Sequence, residues 1–499
     1  MNVSPQSIRP PASETKRQAV VIVHGMGEQR PMDTIRGFVG AVWSSDLSRT
    51  EGMRERVRKP DPDGTGEINK SWVHPDSRAR SYELRRITTP HDIKGLRTEF
   101  YELYWSDITQ GTTVQRLVAW VKGLLLRKWS DVPGDARPLY IAAWAVTAMI
   151  ATLLVVPNLI EWFGLGKVLF PGWVWSIAAV FVGWLVSQFL VPYFGDVAIY
   201  VRAEPDTIAK RTEVRERGLA LLRGLNDDPT YDRIVVAAHS LGTIVAYDIL
   251  QLLWAERAPS GRNRRTEPEL LKAFRAVGKK ALPIDSTARA KVTMDAAQLD
   301  EYRLLQWQLY RQLRTAPSDK LGSWKVSDFV TFGSPLTHAE FLVTHNAADF
   351  AKAVDERLLS TCPPVSEGKS PNILYPSRSP RYPHHAAVFS ATRWTNIHDK
   401  GNGWLTGDPI SGPLVENFGP GILNIQVSLS WALGRIFTHT NYWSTAAQGW
   451  EVLPSGERGP RSHLDVLRDA VDLGRTSDPL PPAPTPAIRR RMKPAGSTV

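Results

Sequence analysis

The chain has 499 residues, 42% of them hydrophobic and 22% charged, proportions that exclude wholesale disorder and leave ample apolar material for a core. Its formal net charge of +11 admits an anionic membrane surface, nucleic acid or plain solubility, so the placement of the charge has to decide among them. A single cysteine, Cys362, excludes any intramolecular disulfide and fits a reducing compartment.

Residues 1–16 are polar and lack the apolar stretch of a signal peptide, so they are expected to form a disordered tail. The run RQAVVIVHGMGEQRP then predicts a buried strand, Ala19 to Val23, ending in the turn His24, Gly25, Met26, Gly27, where glycine lets the backbone reverse tightly. DTIRGFVGAVW predicts a helix with Asp33 as its N-cap, and RARSYELRRITT and LRTEFYELYW predict two more strands. Together they make 17–137 the first part of one domain.

Two apolar spans follow, Leu139 to Ile160 and Val168 to Gly195, both free of charged side chains. A hydrocarbon core of about 30 Å takes roughly 20 apolar residues in helix, so 138–195 is expected to be a two-helix transmembrane hairpin. Arg116, Lys122, Arg127, Lys128 and Arg137 precede it, and Arg202, Lys210, Arg211, Arg215 and Arg217 follow it, whereas the connecting loop holds one lysine. The positive-inside rule keeps both flanks cytoplasmic, and anionic lipid is the expected partner of those flanks. The segment from Arg116 to Trp129 mixes apolar and basic residues and suits either the membrane interface or a buried helix. A greasy lid in a soluble enzyme is the competing reading of the hairpin. No nucleic-acid motif accompanies the basic residues, so nucleic acid is not an expected partner.

Residues 196–473 supply the second part of the domain. DTIAKRTEVRERGLALLRGL predicts a helix, YDRIVVAAHS a buried strand, LGTIVAYDILQLLW a helix, and KVSDFVTFGSPL and AVFSATRWTNI two further strands. Strands alternating with helices predict an α/β fold, a mostly parallel sheet covered on both faces. Residues 258–323 form a basic helical insertion, able to cap a pocket or simply to present a solvated face, and HLDVLRDAVDLG predicts a terminal helix with His463 at the surface. The proline-rich, basic stretch 474–499 is expected to be disordered.

The chemistry enters at Ala238-His239-Ser240-Leu241-Gly242. A strand, then a serine flanked at two residues on each side by small side chains, then a helix is the pattern of a nucleophile elbow, which holds a serine hydroxyl on a strained turn. Such a hydroxyl needs a base, and the base needs an orienting acid, in the chain order Ser, Asp or Glu, His. Asp408 and Asp399 are the candidate acids, in or beside a glycine-rich loop, with Asp408 preferred. His439, in GRIFTHTNYW, is the candidate base. His338 is expected to line the pocket or to make a structural hydrogen bond.

The segments VIVHGMGEQRP, VVAAHSLGTIVAYD, TFGSPLTHAEFL, RWTNIHD with GDPISGPL, and THTNYW together resemble the lipase and esterase branch of the α/β-hydrolase superfamily, in particular its bacterial membrane-associated members. The resemblance implies an α/β-hydrolase sheet interrupted by the hairpin, with Ser240 as nucleophile, Asp408 as acid and His439 as base. It also implies an oxyanion hole from the backbone N–H groups of Met26 and Leu241, supported by His24, Gly25, Gly27, His239 and Gly242. Alanine at 238 stands where the usual motif has glycine. The implied activity is hydrolysis of carboxylic esters of lipid or lipid-like substrates, needing neither metal nor cofactor, at the cytoplasmic face of the bacterial inner membrane. A thioesterase or acyltransferase would use the same triad, and a tethered adaptor would keep the fold without turnover.

Overall fold

The computed structural model describes residues 17–25, 30–46, 69–76, 83–91, 96–109, 207–257, 268–315, 324–375, 381–401, 406–432 and 434–473, together with residue 78 and scattered positions between 122 and 205. Its centre is a ten-stranded sheet in the order β10-β9-β8-β7-β6-β5-β1-β4-β3-β2. The strands are β1 (Arg17–Val23), β2 (Trp72–Pro75), β3 (Arg85–Thr88), β4 (Arg97–Leu103), β5 (Tyr231–His239), β6 (Val326–Phe332), β7 (Arg393–His398), β8 (Leu423–Ser430), β9 (Gln448–Val452) and β10 (Arg458–Ser462). The six from β4 through β8 pair in parallel, and an antiparallel pair closes each edge.

Parallel strands read as nearly unbroken apolar runs because helices cover both faces. In β1, Ala19, Val21 and Val23 point into one core and Val20 and Ile22 into the other; Ile234, Val236 and Ala238 of β5 divide from Val235 and Ala237 in the same way. The first core lies under helices α2 (Ile208–Asp227), α3 (Leu241–Arg257), α4 (Pro268–Gly278) and α5 (Ala296–Thr315). The second lies under α1 (Asp33–Val39) and α6 (His463–Val471).

Several expectations are corrected by packing. Met32, in the left-handed region at φ 76°, is the N-cap of α1, and Asp33 is its first helical residue. Within the segment 258–323, α5 is not merely a solvated face, since it belongs to the layer on the sheet. Its stripe of Tyr302, Leu309, Tyr310 and Leu313 is fully buried, and Gln306 donates to the carbonyls of Phe389 and Thr392. His463 is buried too, at the start of α6, where its ring packs so closely on Gly449 that a β-carbon there would stand 2.8 Å from Nδ1.

Both parts of the domain join within one sheet, β1 lying between β4 and β5. The chain leaves after β4 and returns before α2, and the two ends of this excursion meet, with the rings of Trp105 and Tyr200 6.4 Å apart. The apolar span Leu139 to Ile160 lies largely, and Val168 to Gly195 almost wholly, outside the described residues, as do half of the segment Arg116 to Trp129 and the whole of the tails 1–16 and 474–499. Among the described residues no helix is long and apolar enough to cross a membrane.

Candidate active site

In a sheet whose strand order reverses at β1, the carboxyl ends of the central parallel strands leave a crevice. Register aligns those ends: Val23 sits opposite Ala238, and His239 opposite Phe332. His24 and Gly25 after β1, Ser240 after β5, Gly333 after β6 and Asp399 after β7 therefore meet at one rim.

Ser240 has φ 52°, a region that side chains with a β-carbon rarely occupy. Neighbours hold it there. Its N–H donates to Phe332 O at 3.2 Å, and its carbonyl accepts from the Thr243 hydroxyl at 2.7 Å, itself bonded to Ser334 Oγ. Gly242 lets α3 approach β1, since a β-carbon there would lie 2.2 Å from the His24 carbonyl oxygen. A β-carbon on Gly25 would lie 2.8 Å from Cβ of Ser240.

The Ser240 hydroxyl lies 2.8 Å from His439 Nε2, and His439 Nδ1 lies 2.9 Å from Asp408 Oδ2. A carboxylate at Nδ1 keeps the proton on that nitrogen and leaves the Nε2 lone pair facing the hydroxyl. Burial pushes the Asp408 carboxyl up, but the electrostatic influence of His439 and hydrogen bonds from His439, Tyr442 and Ser411 outweigh it and hold the group down to about 2. Asp408 is thus an anion at neutral pH, with its side chain wholly inaccessible.

Asp399 does not share this role. Its Oδ2 accepts from the Leu429 N–H and the Thr438 hydroxyl, and its Oδ1 from Arg435. Its carbonyl accepts from the Asp408 N–H at 2.9 Å. The carboxylate therefore braces the loop that carries the acid and the base.

His239 donates from Nε2 to the carbonyl of His439 at 2.8 Å and packs edge-on against Trp443. Burial, reinforced by repulsion from His439, pushes it down to about 3, so it is a neutral donor that fixes the backbone of the base. His24 is likewise held neutral, pushed down by burial to about 4. It donates from Nδ1 to Gly25 O and accepts the Trp105 N–H at Nε2, stacked on the Trp105 ring. His338 is buried with Nε2 3.4 Å from Pro409 O, in the loop of the acid.

Leu241 is the first residue of α3, so its N–H has no acceptor within the helix. Met26 and Gly27 lie outside the described residues. Sequence reasoning missed Tyr442. Its hydroxyl donates to Asp408 Oδ2 at 2.8 Å, accepts from the Asp399 N–H at 3.0 Å, and touches Ser411 Oγ at 2.9 Å. The only signal for it was its place three residues after His439, in THTNYW.

Among the described residues no group of three or more His, Cys, Asp or Glu side chains is placed to hold a metal ion. Fold and site together define an α/β protein with a hydrogen-bonded Ser-His-Asp chain at the carboxyl rim of its sheet. Comparison with protein-family models, with curated proteins and with solved structures finds no match.

Proposed function

We propose that the protein is a serine hydrolase of the α/β-hydrolase type, cleaving carboxylic esters of lipid or lipid-like substrates from the cytoplasmic face of a membrane. The observation that carries the reading is the continuous hydrogen-bond chain from Ser240 Oγ through His439 to buried, ionised Asp408. Serine at φ 52° on a strand-helix turn supports it further, since such strain persists where the surrounding structure enforces it.

In the reaction, His439 Nε2 takes the hydroxyl proton as Oγ bonds to the ester carbonyl carbon, whose oxygen becomes the oxyanion. The Leu241 N–H, joined by that of Met26 as the second proposed donor, stabilises the negative charge. Collapse re-forms the carbonyl and breaks the bond to the alcohol, which leaves with the proton from His439. Water, deprotonated by the same nitrogen, then releases the acid and restores Ser240.

Membrane anchoring rests on the apolar spans and their basic flanks. It is also supported by the meeting of Trp105 and Tyr200, since Trp105 stacks on His24 and the excursion thus leaves the fold and returns to it close to the site. The functional test is rapid mixing of the full-length, detergent-extracted chain with a p-nitrophenyl ester. A burst of one p-nitrophenol per active chain ahead of steady turnover is expected, and turnover absent from a folded protein would defeat the reading.

A further inference from the structure

Beside the base lies an apolar surface that the triad does not use. Between β8 and His439, Trp431 N–H donates to Gly434 O and Gly434 N–H to Trp431 O. Trp431 Nε1 donates to Ile436 O at 2.8 Å. Trp431, Ile436 and Phe437 are 38%, 53% and 48% exposed, whereas Trp105, Phe332 and Tyr442 near the site are buried.

This exposure is not slackness. On one side of the pair Ile436-Phe437, Arg435 donates to Asp399 Oδ1 and to the hydroxyl of Ser428; on the other, Thr438 donates to Asp399 Oδ2. Gly407 clamps the backbone from both sides as well, its N–H donating to Arg435 O and its carbonyl accepting from Thr438 N–H. Phe437 itself has φ 46°, an outlier for an aromatic residue. The loop is therefore held rigidly in a strained conformation that leaves two large apolar side chains in water, with the Phe437 ring 5.9 Å from the ring of His439. Exposed apolar groups kept at such expense beside reacting atoms are the mark of a ligand surface.

We infer that Phe437, Ile436 and Trp431 form the docking surface for the hydrocarbon chain of the ester, next to the bond that His439 helps to break. The inference rests on the hydrolase reading and names which part of the substrate the site selects. Contiguity of the patch with the base favours a chain attached to the reacting ester over any separate partner. Arg435, the cation within the patch, has Asp399 as its counter-ion and does not bar a neutral chain.

The test is the ratio of kcat/KM for p-nitrophenyl octanoate over p-nitrophenyl acetate, measured with the full-length chain below the aggregation limit of the octanoate. Phe437→Asn keeps a side chain that tolerates positive φ while removing the ring, and Ile436→Thr keeps β-branching. Wild type should prefer octanoate; the ratio should fall at least about tenfold in Phe437→Asn and about threefold in Ile436→Thr, chiefly through KM. Equal losses on both esters, or a wild-type ratio near one, would overturn the inference while leaving the hydrolase reading intact. So would an unchanged ratio accompanied by lost binding to phosphatidylglycerol vesicles, which would reassign the face to a bilayer. Turnover of neither ester by folded wild type would overturn both.

Discussion

Two carboxylates serve the loop of the base, and their surroundings divide the work between them. Asp408 faces His439 Nδ1 and the Tyr442 hydroxyl, whereas Asp399 braces Leu429, Thr438 and Arg435. Asp408→Asn should leave the fold nearly unchanged and lower kcat by about three to four orders of magnitude, because an amide does not hold the base in the tautomer that accepts a proton from Ser240. Asp399→Asn should mainly lower thermal stability, by about 1–3 kcal/mol, since it leaves hydrogen bonds in a buried cluster poorly matched. Steady-state kinetics and thermal melts of both variants check this division, and a melt lowered by Asp408→Asn with kcat intact would reverse the roles. At the sequence level both acids stood in or beside one glycine-rich stretch, and the preference for Asp408 rested on its place before Pro409 in a turn, not on any sign of which carboxylate the fold turns toward the base.

The elbow was legible as an element because hydrophobic period changes from strand to helix across Ser240, and the glycine turn after β1 because glycine marks close approach. The strands β8, β9 and β10 were not predicted: Ile425, Val427 and Leu429 alternate only over a short run, and β9 and β10 carry too few apolar residues to announce themselves. Helix α5 was misjudged for another reason. Its polar and basic residues hid a stripe whose partners, Phe389 and Thr392, lie some eighty residues away in the chain. The difference is measurable. Trp307 is buried in α5 with the Arg393 guanidinium 4.8 Å from its ring centre. Trp307→Ala should destabilise the whole protein by about 3–5 kcal/mol in denaturant unfolding, whereas a detachable cap would lose the residue at no cost to global stability.

For the whole molecule, two stretches of chain separated by the apolar excursion build one sheet, so the rim that carries Ser240 exists only when both are folded. That rim and the adjoining core hold histidines that burial keeps neutral: His24 and His398 are pushed down to about 4, His239 and His384 to about 3. Unfolded imidazoles take up protons below about pH 6.5. Between there and about pH 4 the unfolded chain binds more protons than the folded one, so stability falls as pH falls, by about 1.4 kcal/mol per pH unit for each histidine. Asp408 has the depressed carboxylate's dependence; its contribution is in place above about pH 4 and is lost only as pH drops through about 2. The melting temperature should therefore be level above about pH 7 and decline from about pH 6, because these four histidines outweigh the one carboxyl that burial raises to about 7, that of Glu102, which takes up its proton in the folded chain over the same range. A melting temperature constant down to pH 4 would contradict the buried, neutral histidines.

The central claim is that Ser240 is a nucleophile activated by His439, and covalent labelling reaches it most directly. Full-length wild type, Ser240→Ala and His439→Ala would be treated with a fluorophosphonate in detergent, and the adduct located by peptide mass spectrometry. One phosphonyl group on Ser240 in wild type, none in Ser240→Ala and strongly slowed labelling in His439→Ala is the predicted result. Equal labelling of the Ser240→Ala protein, or no adduct on folded wild type, would contradict it.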